Sequence, residues 1–370
     1  MANIFLTSRC NLRCPYCFAH DYTGGGADEK RADGFQGDAR PNGARQASIS
    51  EEAFDAALEF VTRTGPAHIG LIGGEPTAHP RFAELARRAA EHPLISGITV
   101  YTNGILVEKF ADLLAGPKFS LLVNWNSPTM LPSSASEAVR RGVDRLVFDL
   151  GMRDRVNLGL NIYGDGSGVG VDAAAHAGVD GFDYSYMLEL LRRYGMTTLR
   201  ISLTVPEFPA GCGTDVLEHF RRCKPLLWRL FHDLDDIGVQ PYYDCNRPPA
   251  CIWTDEERAW LMDYAVRRPG PGDLPAFAES MCKPVVDILP DLTAIRCFAM
   301  GDFRRVPLAD FADLDALRAH FMREIDRRAY RIRAARECEN CHLRRTWRCC
   351  QGCMGYKMER IAAELDGAGA

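Results

Sequence analysis

The feature that most constrains the fold is a regular alternation of strand-like and helical segments over about the first 240 residues. Short apolar runs that predict strands lie at residues 3–8, 68–74, 97–104, 119–126, 155–163 and 198–206. Segments with helical periodicity separate them, such as "SEEAFDAALEFVTRTG", which has an N-cap serine and a terminal glycine. Six such units imply parallel strands with right-handed crossovers. The sequence therefore predicts an α/β fold, either a partial or full βα barrel or a doubly wound sheet.

Polar motifs follow these predicted strands at their carboxyl ends, which is where ligands bind in both architectures. A cysteine segment follows the first strand, "GGEP" at 73–76 follows the second, "TNG" ends the third and "NWNSP" ends the fourth. We therefore expect these four motifs to lie together at one edge of the sheet.

Cysteine is the unusual part of the composition, with 14 cysteines in 370 residues. The N-terminus lacks the features of a signal peptide, and no apolar run reaches the length of about 18 residues that spans a membrane. The net charge of −5 indicates no general attraction to nucleic acid or to an anionic membrane. We expect a cytoplasmic protein without nucleic-acid or membrane partners, in which cysteines are metal ligands or catalytic groups rather than disulfides.

Three of the cysteines, Cys10, Cys14 and Cys17, form the pattern C-x3-C-x2-C directly after the first strand. An iron–sulfur cubane or a tetrahedral zinc ion normally takes four protein ligands. Three ligands leave one coordination position open, which a catalytic metal needs and a structural metal avoids.

This pattern, with an aromatic residue before the last cysteine and with "GGEP" after the second strand, resembles the radical S-adenosylmethionine (SAM) superfamily. The resemblance implies a partial (βα)6 barrel over residues 1–240. It also implies that Cys10, Cys14 and Cys17 bind a [4Fe–4S] cluster whose open iron site chelates the amino and carboxylate groups of SAM. One-electron reduction would cleave SAM to a 5′-deoxyadenosyl radical that abstracts a substrate hydrogen. An electron donor such as flavodoxin or ferredoxin is implied as a partner.

The "GGEP" motif also has a physical reading that agrees with a SAM site. Gly73 and Gly74 carry no side chains, so their backbone can approach a ligand closely. Glu75, or the backbone carbonyls beside it, can accept hydrogen bonds from an ammonium group. Pro76 stiffens the turn.

The other candidate contacts to SAM are residues at strand ends or beside the cysteines. They are Tyr16, Asn103, Asn126, Ser127, Asn161 and Ser202. Tyr16 is expected to pack against the adenine. Each of the others has the alternative role of capping a helix or closing a turn. No acid or base stands out as catalytic, and His20 and His79 near the motifs are expected to be turn or capping residues.

A second group of cysteines lies near the C-terminus, in two parts. Cys282 and Cys297 come first, and a dense run follows at Cys338, Cys341, Cys349, Cys350 and Cys353. A zinc ribbon is one alternative, but its two C-x2-C pairs are usually separated by about 15–20 residues, more than the run allows.

Behind a radical SAM core, this group resembles the SPASM or twitch extensions, which carry auxiliary [4Fe–4S] clusters. The run departs from their pattern in the gap between Cys341 and Cys349, in the missing glycine pair before Cys297, and in the lack of a cysteine after Cys353. We expect one or two auxiliary clusters that use the C-terminal cysteines. Cys245 and Cys251 are open candidates to complete a ligand set.

These expectations give residues 1–240 as the radical SAM core and 241–370 as a SPASM-like or twitch-like extension. Relatives with such tails often oxidise or cross-link residues in ribosomally made peptides or proteins, which favours peptide or protein maturation. The chain starts directly at the first strand, without an N-terminal peptide-recognition domain, so dehydrogenation or rearrangement of a small metabolite is an alternative. A non-catalytic iron–sulfur electron-transfer protein is the third possibility.

Overall fold

A computed structural model describes residues 1–14, 17, 19, 22, 47–128, 130–163, 182–203, 216–267, 282, 284–357 and 360–361. The chain forms two compact units. The first contains Met1–Asn157 and Pro284–Phe321, and the second contains Leu158–Lys283 and Met322–Ala370. The boundary expected at residue 240 followed motif placement rather than compactness, and it stays a prediction.

The described residues form ten strands and ten helices. The strands are β1 (Ala2–Phe5), β2 (Ala67–Ile72), β3 (Ile95–Thr102), β4 (Phe119–Asn124), β5 (Val156–Ile162), β6 (Thr198–Leu203), β7 (Gln240–Tyr242), β8 (Asp287–Ile288), β9 (Thr293–Ile295) and β10 (Val306–Pro307). The helices are α1 (Glu51–Thr62), α2 (Phe82–Glu91), α3 (Val107–Leu114), α4 (Ser133–Asp144), α5 (Ser185–Tyr194), α6 (Val216–Asp236), α7 (Asp255–Arg267), α8 (Leu314–Phe321), α9 (Arg327–Ala329) and α10 (His342–Arg345). None of the helices in the described part of the chain combines the length and the apolarity needed to cross a membrane.

The first unit contains strands in the order β10-β9-β8-β1-β2-β3-β4. The strands from β8 to β4 run parallel, and β9 and β10 add an antiparallel edge. Helix α1 begins where predicted, since the side chain of Ser50 accepts a hydrogen bond from Ala53 N. Strand side chains such as Ile4, Leu71 and Val100 are fully buried, as expected for a parallel sheet covered on both faces.

The second unit contains β5, β6 and β7, which pair in parallel in that order. Its longest helix, α6, buries an apolar stripe that includes Phe220, Leu227 and Phe231. The prediction of an α/β fold with a mostly parallel sheet is confirmed, and the six predicted strands differ from β1 to β6 by only a few residues at their ends. Strands β7 to β10 were not predicted.

A buried carboxyl lies where β8 joins β1. Asn3 Nδ2 donates to Asp287 Oδ1 at 2.7 Å, and only 2% of Asp287 is exposed. Burial raises the pKa of the Asp287 carboxyl to about 7, although Asn3, the Phe298 amide and the Arg296 guanidinium act in the opposite direction. The folded state therefore holds this proton more tightly than the unfolded state does.

We expect the stability of the protein to fall as the pH rises from about 4, near the pKa of an unfolded aspartate, to about 7. Below this window both states carry the proton, and the stabilisation is fully present. Asp287→Asn should flatten this part of the profile, whereas the same change at the exposed Asp154 should leave it intact. Urea unfolding at several pH values measures the effect, and parallel profiles for wild type and Asp287→Asn would refute it.

Candidate functional site

The loop that carries Cys10 leaves β1 and lies directly against the turn that leaves β2. Gly74 N donates to Thr7 O at 2.8 Å. A Cβ atom on Gly73 would lie 2.6 Å from Thr7 O, and one on Gly74 would lie 2.6 Å from Arg9 O and 2.9 Å from Cys10 Cβ. Both positions need glycine, because the backbone of the cysteine loop fills the space of a side chain. We expected the backbone of Gly73 and Gly74 to approach a ligand closely. In the structure this backbone instead lies closely against the cysteine loop.

The thiols of the cysteine loop are close enough to interact. The Cys10 thiol interacts electrostatically with Cys14 and Cys17, and burial raises its pKa to about 12. Leu12 N donates to Cys10 Sγ at 3.4 Å, and Cys17 N donates to Cys14 O at 3.1 Å. A thiolate in this place needs a positive partner, which the irons of a cluster provide.

The arrangement of these thiols can be compared with what a single ion needs. No three Cys, His, Asp or Glu side chains among the described residues could together hold one metal ion. A zinc ion with Zn–S bonds of about 2.3 Å needs its sulfurs to converge tightly. An iron–sulfur cluster puts its own irons and sulfides between the thiolates and holds them further apart. Three cysteine thiols on one loop are the kind of donor set that an iron–sulfur cluster takes.

Glu75 fastens the end of β2 to the end of β3. Its carboxylate accepts hydrogen bonds from Thr77 N at 3.1 Å, from the Thr77 hydroxyl, from Thr102 Oγ1 at 2.8 Å and from Asn103 N at 2.7 Å. Burial raises the pKa of the Glu75 carboxyl, and these hydrogen bonds act against that rise. Four protein donors engage this carboxylate, so of the two ammonium acceptors predicted at this turn, the neighbouring backbone carbonyls are the better candidates.

The ends of β3 and β4 also contact the cysteine loop. Asn103 Nδ2 donates to Asn11 Oδ1 at 2.7 Å, while Asn103 Oδ1 accepts from Ile105 N at 3.1 Å. Asn126 Nδ2 lies 3.5 Å from Cys14 Sγ and donates to it. The structure thus brings Asn103 and Asn126 to the cysteine loop, as the motif positions predicted, and their contacts to SAM stay predictions.

The remaining candidates at strand ends are placed as follows. Ser127 is buried after β4, and its carbonyl oxygen accepts from Met130 N at 2.9 Å. In the second unit, Asn161 and Ser202 are paired neighbours on β5 and β6. Asn161 Oδ1 accepts from Arg200 Nη1 at 3.0 Å. Tyr16 and His20 lie outside the described residues.

Several structural partners in these sites escaped sequence reasoning. Arg200 is buried and forms an ion pair with Asp244 at 2.8 Å. Asn11 follows Cys10 in the sequence, and Thr102 precedes Asn103. Only this position beside a motif could have indicated a role for them. The His79 side chain lies in the turn before α2, as expected, since Arg81 N donates to His79 Nδ1 at 3.1 Å.

The C-terminal cysteines divide between the two units. Cys297 lies in the first unit, where Arg296 Nη1 donates to its sulfur at 3.5 Å. Cys282 and the run of Cys338, Cys341, Cys349, Cys350 and Cys353 lie in the second unit, together with Cys245 and Cys251. None of the cysteines that the structure describes forms a disulfide bond.

Comparison with known proteins identifies the class. Residues 4–146 match the family model described as the radical SAM superfamily. This segment belongs to that superfamily, so the resemblance predicted from the cysteine spacing and "GGEP" is confirmed. The family implies a [4Fe–4S] cluster and SAM as cofactors.

Curated relatives match parts of the chain. A GTP 3′,8-cyclase of Chlorobaculum tepidum is 32% identical over 111 residues, which are 30% of this chain and 28% of that protein. A PqqA peptide cyclase of Methylorubrum populi is 32% identical over 100 residues, which are 27% of this chain and 21% of that protein. The chain thus matches less than a third of the length of either relative.

The fold is similar to that of a solved structure. The crystal structure of Streptococcus suis SuiB bound to S-adenosylmethionine aligns with a TM-score of 0.53 at 13% identity. The alignment covers 95% of this chain and 72% of SuiB. At this identity the likeness shows the fold alone, and it confirms the predicted fold class.

Replacing Glu75 by glutamine tests whether its carboxylate holds the turn together. The carboxylate oxygens of Glu75 accept hydrogen bonds from protein N–H and O–H groups. In either orientation, the NH2 group of a glutamine amide would face at least one of these donors instead of accepting from it. We expect a loss of about 1–3 kcal/mol in the free energy of unfolding and a lower iron content after reconstitution. Urea unfolding and an iron assay measure both.

Glu84→Gln is the matched control, because this side chain is 40% exposed and its pairing with Arg81 is a surface contact. Such pairs contribute about 0–1 kcal/mol. Equal stability and iron content in the two glutamine variants would contradict the role assigned to Glu75.

Proposed function

We propose that this protein is a radical SAM enzyme whose cysteine loop and Gly73–Glu75 turn together form the site of a [4Fe–4S] cluster and SAM. The observation that carries the proposal is the direct backbone pairing of these two segments, seen in the 2.8 Å bonds from Gly74 N to Thr7 O and from Glu75 N to Arg9 O. When bound, the reduced cluster supplies the electron that cleaves SAM to a 5′-deoxyadenosyl radical, which removes a hydrogen atom from the substrate.

Each part of the site has a distinct task in this proposal. Cys10, Cys14 and Cys17 hold the cluster and leave one iron free for SAM. The backbone carbonyls of the glycine turn accept the ammonium of SAM, while Glu75 keeps that turn against β3. The amide of Asn126 donates to the sulfur of Cys14, which stabilises negative charge there.

The proposal also includes the remaining residues that were predicted to contact SAM. They are Tyr16 at the adenine, Pro76 in the turn, and Asn103, Ser127, Asn161 and Ser202 at strand ends. An electron donor of the flavodoxin or ferredoxin type would deliver the electron.

For the substrate, we propose a ribosomally made peptide or protein that the enzyme oxidises or cross-links. The relative named PqqA peptide cyclase supports this choice, and so does the cysteine-rich C-terminal region, which is expected to hold one or two auxiliary clusters. A second candidate is a small metabolite, which the relatives named GTP 3′,8-cyclase favour.

The catalytic proposal predicts formation of 5′-deoxyadenosine when the anaerobically reconstituted protein is incubated with SAM and dithionite. Cys14→Ala should reduce this product to background, because the cluster loses a ligand. Cys223→Ala removes a thiol buried in α6, away from the cysteine loop in the chain, and should retain the activity. Liquid chromatography of the product decides the matter, and an absence of 5′-deoxyadenosine in wild type would overturn the proposal.

The substrate proposal predicts that a peptide encoded beside this gene stimulates SAM cleavage and gains a mass change of lost hydrogens. GTP, assayed in parallel, should leave the cleavage rate unchanged. Stimulation by GTP without stimulation by peptide would replace the peptide assignment by the small-metabolite alternative. Mass spectrometry of both substrates after single turnover provides the readout.

A further inference from the structure

Beside the cysteine loop, the first unit contains a cavity of about 630 Å³ to which the proposed function gives no role. Its lining comes from the cysteine loop, from the turn after β2 and from the first turns of α2 and α3. Cys10, a predicted ligand of the cluster, belongs to this lining and is only partly buried. The cavity therefore joins the outside of the protein to a predicted cluster ligand.

The lining of this cavity, which we call the cationic cavity, carries a strong positive charge. Its charged side chains are one carboxylate, Glu84, and four cations, Arg9, Arg81, Arg87 and Lys109. With histidine counted as neutral, four positive charges and one negative charge give a formal total of +3. The whole chain, by contrast, carries a net charge of −5. A local charge opposite in sign to that of the chain favours an anionic partner at this place.

Three of the four cations are available to a partner. Arg81 forms ion pairs with two glutamates. Within the described part of the chain, no carboxylate forms an ion pair with Arg9, Arg87 or Lys109, and all three side chains are exposed. They come from three separate segments: the cysteine loop, α2 and α3. Exposed charges spread over three segments are typical of the rim of a protein interface, whereas a site for a small anion gathers its donors at one buried point.

The cationic cavity also has an apolar part. Leu106 and Phe110 belong to its lining, and both are only partly buried. The Phe110 ring packs edge-on against the Phe82 ring, with 4.9 Å between their centroids, so that α2 and α3 are joined beneath the cations. The Lys109 ammonium lies 5.1 Å from the centroid of the Phe110 ring. Apolar surface next to exposed charges is the composition of an interface at which charges guide the encounter.

We propose that the cationic cavity is the docking surface for an acidic protein that donates single electrons, such as a flavodoxin. This inference rests on the proposed function, because it names the surface at which the electron donor of that function binds. A donor bound here would lie next to Cys10, on the cluster loop. In the transfer step the reduced donor loses one electron and the cluster gains it, while no bond forms or breaks. Electron-transfer complexes are small, burying less than about 1,200 Å², so a few exposed charges can set their rate of association.

The test uses the full reconstituted chain and a purified acidic flavodoxin. Arg87→Glu combined with Lys109→Glu reverses two of the unpaired charges. We expect this cavity variant to bind flavodoxin at least about tenfold more weakly at low salt, and its cluster to be reduced by reduced flavodoxin at least about tenfold more slowly. In the wild type, both the affinity and the rate should fall as the salt concentration rises to about 0.5 M. Calorimetry measures the binding, and stopped-flow bleaching of the cluster absorbance measures the reduction.

Arg140→Glu combined with Arg153→Glu is the matched control, because both arginines are exposed residues of the first unit outside the cavity lining. It makes the same change in net charge and should keep the affinity and the reduction rate of the wild type. Dithionite is a small reductant that needs no docking surface, so with dithionite all three proteins should form 5′-deoxyadenosine at equal rates. Circular dichroism verifies that each variant is folded.

Several results would overturn the docking surface. They are equal flavodoxin affinity in the cavity variant and the control, a wild-type reduction rate that does not depend on salt, and a wild type that does not bind flavodoxin. A loss of dithionite-driven activity in the cavity variant would assign the cavity to SAM or to the substrate, and would overturn the proposal as well.

The same proteins separate this inference from the proposed function. Normal formation of 5′-deoxyadenosine with dithionite, beside flavodoxin binding that does not depend on Arg87 and Lys109, would refute the docking surface and leave the function standing. A wild type that forms no 5′-deoxyadenosine, but whose binding of flavodoxin is lost in the cavity variant, would refute the function and support the docking surface.

Discussion

The site depends on one backbone contact, between the loop that leaves β1 and the glycine turn that leaves β2. It continues the β1–β2 pairing beyond the strands, and it exists only because Gly73 and Gly74 lack side chains that would collide with Thr7 and Arg9. The cysteines lie on one side of this contact. On the other, Glu75 extends it to β3 through a buried carboxylate. A disturbance at the turn is therefore expected to reach the cysteine loop through hydrogen bonds rather than through the apolar core.

Burial has the same electrostatic effect on thiols in both groups of cysteines. Burial raises the pKa of Cys10 to about 12 and that of Cys349 to about 11, so the protein alone favours neutral thiols at these places. Thiolates become favourable when iron supplies positive charge. The groups differ in their surroundings: a carboxylate interacts with Cys10, whereas the buried ammonium of Lys357 interacts with Cys338 and Cys349.

Much of the fold was predictable because its signals are local. Apolar runs located β1 to β6 to within a few residues, and the N-cap at Ser50 was visible as such. The positions of Cys10 and "GGEP" at strand ends implied their meeting, since parallel strands align their carboxyl ends. The bond between Asn126 and Cys14 joins residues 112 positions apart, and that between Asn103 and Asn11 joins residues 92 apart. No local pattern records such pairs.

The sequence by itself determined the α/β fold class and the likeness of residues 4–146 to the radical SAM superfamily, because strand periodicity and a short, dense motif are encoded in consecutive residues. Only the tertiary structure decided what Glu75 does with its carboxylate, which accepts hydrogen bonds from Thr102 and Asn103. The physical reason is that these partners lie 27 and 28 positions away along the chain, and chain spacing constrains distance in space only within a single turn or loop.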